Sequence, residues 1–225
     1  MRGHSHAKAV GRAVLPLARG FDDDREDGMA QGQGQGGTDA SEGAHQVKGS
    51  AFVTVARWMS KCGDAELRTR YLAALPAGTR ERVRDATATQ WFPERMHAEV
   101  LRAVFDTVAG GELPRFEQVI AECTTLGVQT FAKLVLSMSS PAFVLRRCPT
   151  LWAVLRRGPA EVTVDQEGPR SVLHYTQFPF FDDQLYRHYL RALLGALVRP
   201  SHGRDAVVEV VDHGHDWVDI AVTLD

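Results

Sequence analysis

Residues 171–197, "SVLHYTQFPFFDDQLYRHYLRALLGAL", decide the fold. The opening is rich in β-branched and aromatic residues and alternates apolar with polar, which predicts a strand over 171–178. After Pro179 and an aspartate pair, Leu185, Tyr189, Leu193 and Leu197 recur at helical spacing. Asp182 or Asp183 stands where the helix dipole favours negative charge, and Pro200 marks the helix end. Upstream, "AEVTVD" (160–165) alternates in the same way and "QEGPR" (166–170) is turn chemistry, so two strands form a hairpin. Downstream, "AVVEVVD" (206–212), "HGHD" (213–216) and "WVDIAVTLD" (217–225) make a second hairpin. On the strand of the quoted stretch His174 and Tyr175 are adjacent and so face opposite ways. One packs beneath the helices and the other faces outward, so they make no joint site.

Between Val47 and Leu155 the apolar residues recur mainly at helical spacing. Phe52, Val55 and Met59 form one stripe. Asp64 is placed to cap the next helix, which Pro76 ends. "AGTRERVRDATATQ" (77–90) is polar and only modestly helical. Pro93 suits a first helical turn ahead of Met96, Val100, Val104 and Val108. A longer helical region from Arg115 carries Gly127 as a kink or a point of close packing, and 141–158 holds short helices divided at Pro149. The fold class is therefore α+β, a helical N-terminal half followed by a strand-strand-helix-strand-strand antiparallel sheet with helices over one face.

Residues 1–46 are poor in large apolar side chains and contain "AQGQGQGGTDASEGAHQ". Burial there cannot offset the entropy of ordering, which predicts a disordered tail before a single domain over 47–225. The short patch "AVLPLA" is interrupted by Pro16 and followed by "FDDDRED", unlike a secretory signal. Met29 offers an alternative start, so residues 1–28 read as a start-site artefact. No run approaches the ~20 apolar residues of a membrane span. The formal net charge is −2 and the basic residues are scattered, which argues against nucleic-acid and anionic-membrane partners. Three widely spaced cysteines, Cys62, Cys123 and Cys148, look like reduced thiols of a cytoplasmic protein.

Chemistry-bearing groups are sparse. His213 and His215, flanked by Asp212 and Asp216, form a weak candidate for a divalent metal or a polar turn built on Gly214. His97 borders an apolar helix face and is read as a boundary residue, with a metal or haem ligand as the sharper alternative. Cys148 beside Arg147 is a nucleophile or a small core residue. No nucleophile elbow or phosphate-binding glycine pattern follows a strand. Trp152, Tyr175, Phe178, Phe180 and Phe181 cluster around the joint between helices and sheet. They line a pocket for an apolar ligand or fill the core.

Taken in order, the helices, "PTLWAVLRRG", a hairpin whose second strand reads "VLHYTQFPF", a helix and a final hairpin resemble the haem-nitric-oxide-binding and vinyl-reductase-type sensor fold. They are most similar to a paralogous family expanded in myxobacteria. The resemblance implies an iron-ligating histidine before the first hairpin, and a tyrosine, serine and arginine at alternate strand positions holding the propionates. Trp152 falls near the histidine's place and Tyr175 matches the tyrosine, but Gln177 and Pro179 occupy the other two positions. Tryptophan cannot ligate iron and proline donates nothing to a carboxylate, so the expectation is that the chain takes no cofactor, haem included. The vinyl-reductase-type relatives carry cysteine-rich positions near the C-terminal end, which has no cysteine here.

The sequence thus points to a non-enzymatic, sensor-like or adaptor domain in bacterial signalling that binds a small apolar ligand or a protein partner. The alternative is a protein-interaction module or homodimer with a filled core. An enzyme using Cys148 or a histidine ranks third, because no acid, base and nucleophile set assembles.

Overall fold

The computed structural model describes residues 44–131, 140–202 and 206–224; the tail and start-site readings for 1–43 lie outside them. The helices are α1 (Ser50–Cys62), α2 (Ala65–Ala74), α3 (Ala77–Arg84), α4 (Glu94–Ala103), α5 (Leu113–Phe131), α6 (Pro141–Arg146), α7 (Cys148–Leu155) and α8 (Gln184–His202). The strands are β1 (Gln46–Lys48), β2 (Trp91–Pro93), β3 (Arg156–Arg157), β4 (Glu161–Glu167), β5 (Arg170–Thr176), β6 (Val207–His213) and β7 (Val218–Thr223). The α+β order and both hairpins agree with the sequence reading.

Local chemistry explains most helix ends. The Asp64 side chain accepts a 2.8 Å bond from the Leu67 N–H at the start of α2, and Asp183 accepts one of 2.8 Å from the Leu185 N–H at the start of α8. Phe52, Val55 and Met59 are buried on α1, as their spacing requires, and Trp58 joins them. After α4 the chain widens into a π turn over Val104–Val108. Two expectations shift: α8 runs on past Pro200 to His202, and α6 and α7 divide at Arg147, which leaves Pro149 in the first turn of α7. A proline is tolerated there because the first-turn N–H has no intrahelical partner.

The hairpins combine into one antiparallel sheet of order β4-β5-β7-β6. Register pairs Leu173 with Ile220 and Tyr175 with Val218, and all four are buried on the face that the helices cover. A bulge between Val210 and Asp212 lets β6 rejoin the ladder at Asp212, which pairs with Asp219. A second sheet, β2-β1-β3, has no forerunner in the sequence reading. Its strands have two or three residues, too few for any periodicity to show. It matters because it ties β1 to the start of α4 and to the end of α7.

Candidate ligand site at the helix–sheet joint

All five aromatics singled out by sequence meet at the joint. Trp152 lies 5.2 Å from Tyr175 and 5.3 Å from Phe178, centroid to centroid, and Phe178 lies 4.8 Å from Phe181 and 5.2 Å from Phe180. Mostly edge-on or tilted contacts are what the ring quadrupoles favour. His45 adds its ring edge-on to Phe178 at 5.2 Å, and Tyr186 does so at 5.5 Å. These rings pack on one another. Two surface hollows, of about 980 and 670 Å³, lie along α8 and are lined by none of the five.

The chain reaches this arrangement by breaking the strand. β5 ends at Thr176, and Gln177 adopts φ 59°, in the left-handed region that side chains with a Cβ resist. Phe178 is thereby turned inward, its N–H donating to the Asp216 carbonyl at 2.8 Å. Gly214 is required opposite by a different cause from the turn first assigned to it. A Cβ there would meet the Trp217 ring at 2.2 Å. Gln177 and Pro179 therefore do not continue the alternation begun by Tyr175, and Gln177 is exposed. The expected reading of 175, 177 and 179 as one row is corrected accordingly.

A buried polar group adjoins the rings. Glu94, the first residue of α4, is wholly buried. Its Oε1 accepts 2.7 Å from the Tyr186 hydroxyl and lies 3.1 Å from His97 Nδ1 and 3.4 Å from Arg156 Nε. The Arg156 guanidinium stacks 4.3 Å over the Trp152 ring. Burial pushes the Glu94 carboxyl upward, but Arg156 and the hydrogen bonds from His97 and Tyr186 outweigh it and hold the group at about 2. Burial lowers the His97 and His45 pKa values, Glu94 acting the other way on both. Glu94 Oε2 and Arg156 Nε are buried with no hydrogen-bond partner.

His97 is thus not the boundary residue expected. It is buried, bonded through Nδ1 to Glu94 and Tyr186. Sequence reasoning missed Glu94, Arg156, Tyr186 and His45. An acidic residue directly after Pro93 at a helix start carries no distinguishing signal, and His45 fell in the stretch assigned to the tail. Cys148 is buried, and burial pushes its thiol up to about 12, as a core residue rather than a nucleophile. His213 and His215 are exposed, His215 lying 3.9 Å from Asp182. Among the described residues no three His, Cys, Asp or Glu side chains gather to hold a metal ion. His174, on the opposite face from Tyr175, sits 2.9 Å from Asp219 and 3.3 Å from Asp165. No helix of the described residues is long and apolar enough to cross a membrane.

This architecture is the fold of the haem-nitric-oxide-binding domains. An Fe(II) unliganded H-NOX protein from K. algicida superposes with TM-score 0.56 at 9% identity, over 79% of this chain and 96% of that one. An oxygen-binding H-NOX domain related to soluble guanylate cyclases does so at 0.50 and 10%, over 79% and 92%. A structure described under "Modulating Heme Redox Potential Through Protein-Induced Porphyrin Distortion" gives 0.53 at 11%, over 78% and 99%. No family model and no curated protein matches the sequence.

The expectation of no cofactor is corrected by these neighbours. Two of the solved structures that share the fold are described with haem, which points toward a haem cofactor rather than none. The structure also removes a premise of that expectation, because 177 and 179 lie outside the row on which the argument stood. The polar side chains beside the rings are two buried imidazoles, His45 and His97, and the buried Arg156 guanidinium, which is ion-paired with Glu94 and stacked on Trp152.

Proposed function

We propose that this chain forms a non-enzymatic, sensor-type domain that takes its ligand at the helix–sheet joint, haem being the group it holds. The observation that carries the reading is the polar group set beside the rings, with the His45 and His97 imidazoles near the buried Arg156 guanidinium. An imidazole is the side chain to hold iron, and Arg156 is the cation to face a propionate. Bound there, haem supplies an iron that takes small gases as ligands. Trp152, Tyr175 and Phe181 would keep water from such a group. The haem-nitric-oxide-binding likeness supports a role in signalling with a protein partner. Kinship with the myxobacterial and vinyl-reductase-type families rests on the order of elements and belongs to the same proposal.

The test is an absorbance spectrum with native mass spectrometry of full-length protein from haem-supplemented cells. A Soret band with a haem mass increment is expected. An apo mass with no band after haem titration refutes the reading. The ring packing of the joint favours a second reading, a protein-interaction module, for which a dimer mass with no band is the expected result.

A further inference from the structure

Three arginines, Arg170, Arg187 and Arg191, and two histidines, His188 and His213, line the smaller hollow along α8, which lies between that helix and β6 and measures about 670 Å³. Among the described residues that line it, Glu209 is the single carboxylate. In a chain of formal net charge −2 this is a local excess of positive charge. The helix creates it, because Gln184, Arg187, His188 and Arg191 follow one another at spacings of three, one and three residues and so share a face. Like charges four apart on a helix repel, and an anion bound between them reverses the sign of that term.

Two of the guanidinium groups are held in place with donors to spare. Arg187 Nη1 donates to the carbonyls of Phe181 and Asp182, neutral acceptors that leave its charge uncompensated. Arg191 donates from Nε at 2.7 Å and from Nη2 at 2.5 Å to the two oxygens of Glu117, contacts that do not engage its Nη1. His188 Nδ1 lies 2.5 Å from the same carboxylate and its Nε2 lies 3.3 Å from Gln184 Nε2, which fixes the imidazole on both sides. Arg170, at the start of β5, forms no ion pair among the described residues. Guanidinium groups present paired N–H donors that match two oxygens of a phosphate. Val210 and Val211 add an apolar wall for the organic part of such a ligand, and Val211 is 51% exposed.

We propose that the hollow between α8 and β6 binds the phosphate group of a phosphate monoester, with Arg187 and Arg191 of α8 and Arg170 of β5 as its donors. The site is separate from the helix–sheet joint and stands whether or not the joint holds haem. A phosphorylated side chain of a partner protein and a phosphorylated small molecule share this chemistry.

The experiment is isothermal titration calorimetry of the full-length protein at pH 7 and low ionic strength with phenyl phosphate, a phosphotyrosine peptide and the same peptide without phosphate. Phenyl phosphate is expected to bind and the unphosphorylated peptide is not. A phosphotyrosine peptide that binds about 10-fold more tightly than phenyl phosphate assigns the site to a partner's side chain, and one that binds no better assigns it to a small molecule. Arg170→Gln and Arg187→Gln are each expected to weaken binding by about 10-fold, while Arg146→Gln, an exposed arginine of α6, leaves it unchanged. Arg170→Gln removes no ion pair of the folded chain, so it decides the matter if Arg187→Gln does not fold. No heat of binding from either phosphorylated probe, or an equal loss in Arg146→Gln and Arg170→Gln, overturns the proposal.

Discussion

Replacing Glu94 with glutamine keeps the shape of the side chain and removes one buried charge, which makes it the sharpest probe of the polar group. In the folded chain the carboxyl is held at about 2 against an ordinary value of 4.5. That depression is on the order of 3 kcal/mol of stability that the ionised form contributes. Because the folded value is the lower one, this contribution is complete above about pH 5 and is lost as pH falls from there toward 2. Glu94→Gln also strands the Arg156 guanidinium, whose side chain is only 5% exposed, and breaking a buried pair in this way costs about 3–5 kcal/mol. Urea unfolding at pH 7, repeated at intervals down to pH 2, measures both effects. The variant is expected to be less stable by about that amount at pH 7 and to lose less than wild type between pH 5 and 2. Adding Arg156→Met should recover part of the loss, since two uncharged side chains cost less than one orphaned charge. A single-variant cost below about 1 kcal/mol, or an unchanged acid slope, would refute the account of a charged Glu94–Arg156 pair. His45 and His97, whose values burial lowers from 6.5, add to acid lability in the same direction, beginning as pH drops through that value.

Trp152→Ala should destabilise by about 3–5 kcal/mol, because its ring touches Tyr175, Phe178 and the Arg156 guanidinium; a loss under 1 by urea denaturation would contradict the packing described. Gly214→Ala is expected to cost about 1–3 kcal/mol and to change Trp217 fluorescence, since the added Cβ collides with that ring; an unaltered melting curve and spectrum would show that the ring does not lie there. Gln177→Gly should be neutral or stabilising by up to about 1 kcal/mol, relief of the left-handed conformation offsetting the entropy of glycine. Destabilisation of 2 kcal/mol in differential scanning calorimetry would argue against φ 59° at that position.

What could be read from the chain alone followed from periodicity and local chemistry. The 3.6-residue stripes of α1 and α8, the Asp64 cap and the period-two strands of both hairpins are properties of short windows, so the α+β order and the buried ring set were legible in one dimension. Opposite facing of His174 and Tyr175 needed only the pleat. Tertiary structure decided the rest. The β2-β1-β3 sheet joins segments some 45 and 110 residues apart through strands too short to carry a pattern. That sheet brings His45, Glu94 and Arg156 together, and no local window contains two of them with their partner Tyr186. The alternation projected from Tyr175 through Gln177 to Pro179 failed for a related reason. A left-handed residue ends the strand where packing against Asp216 and the joint rewards turning Phe178 inward, a long-range gain that overrides local strand propensity. Sequence determined which segments are apolar and how they repeat; only the fold decided which buried charges and imidazoles meet, because desolvation and ion pairing act between side chains that the chain order keeps apart.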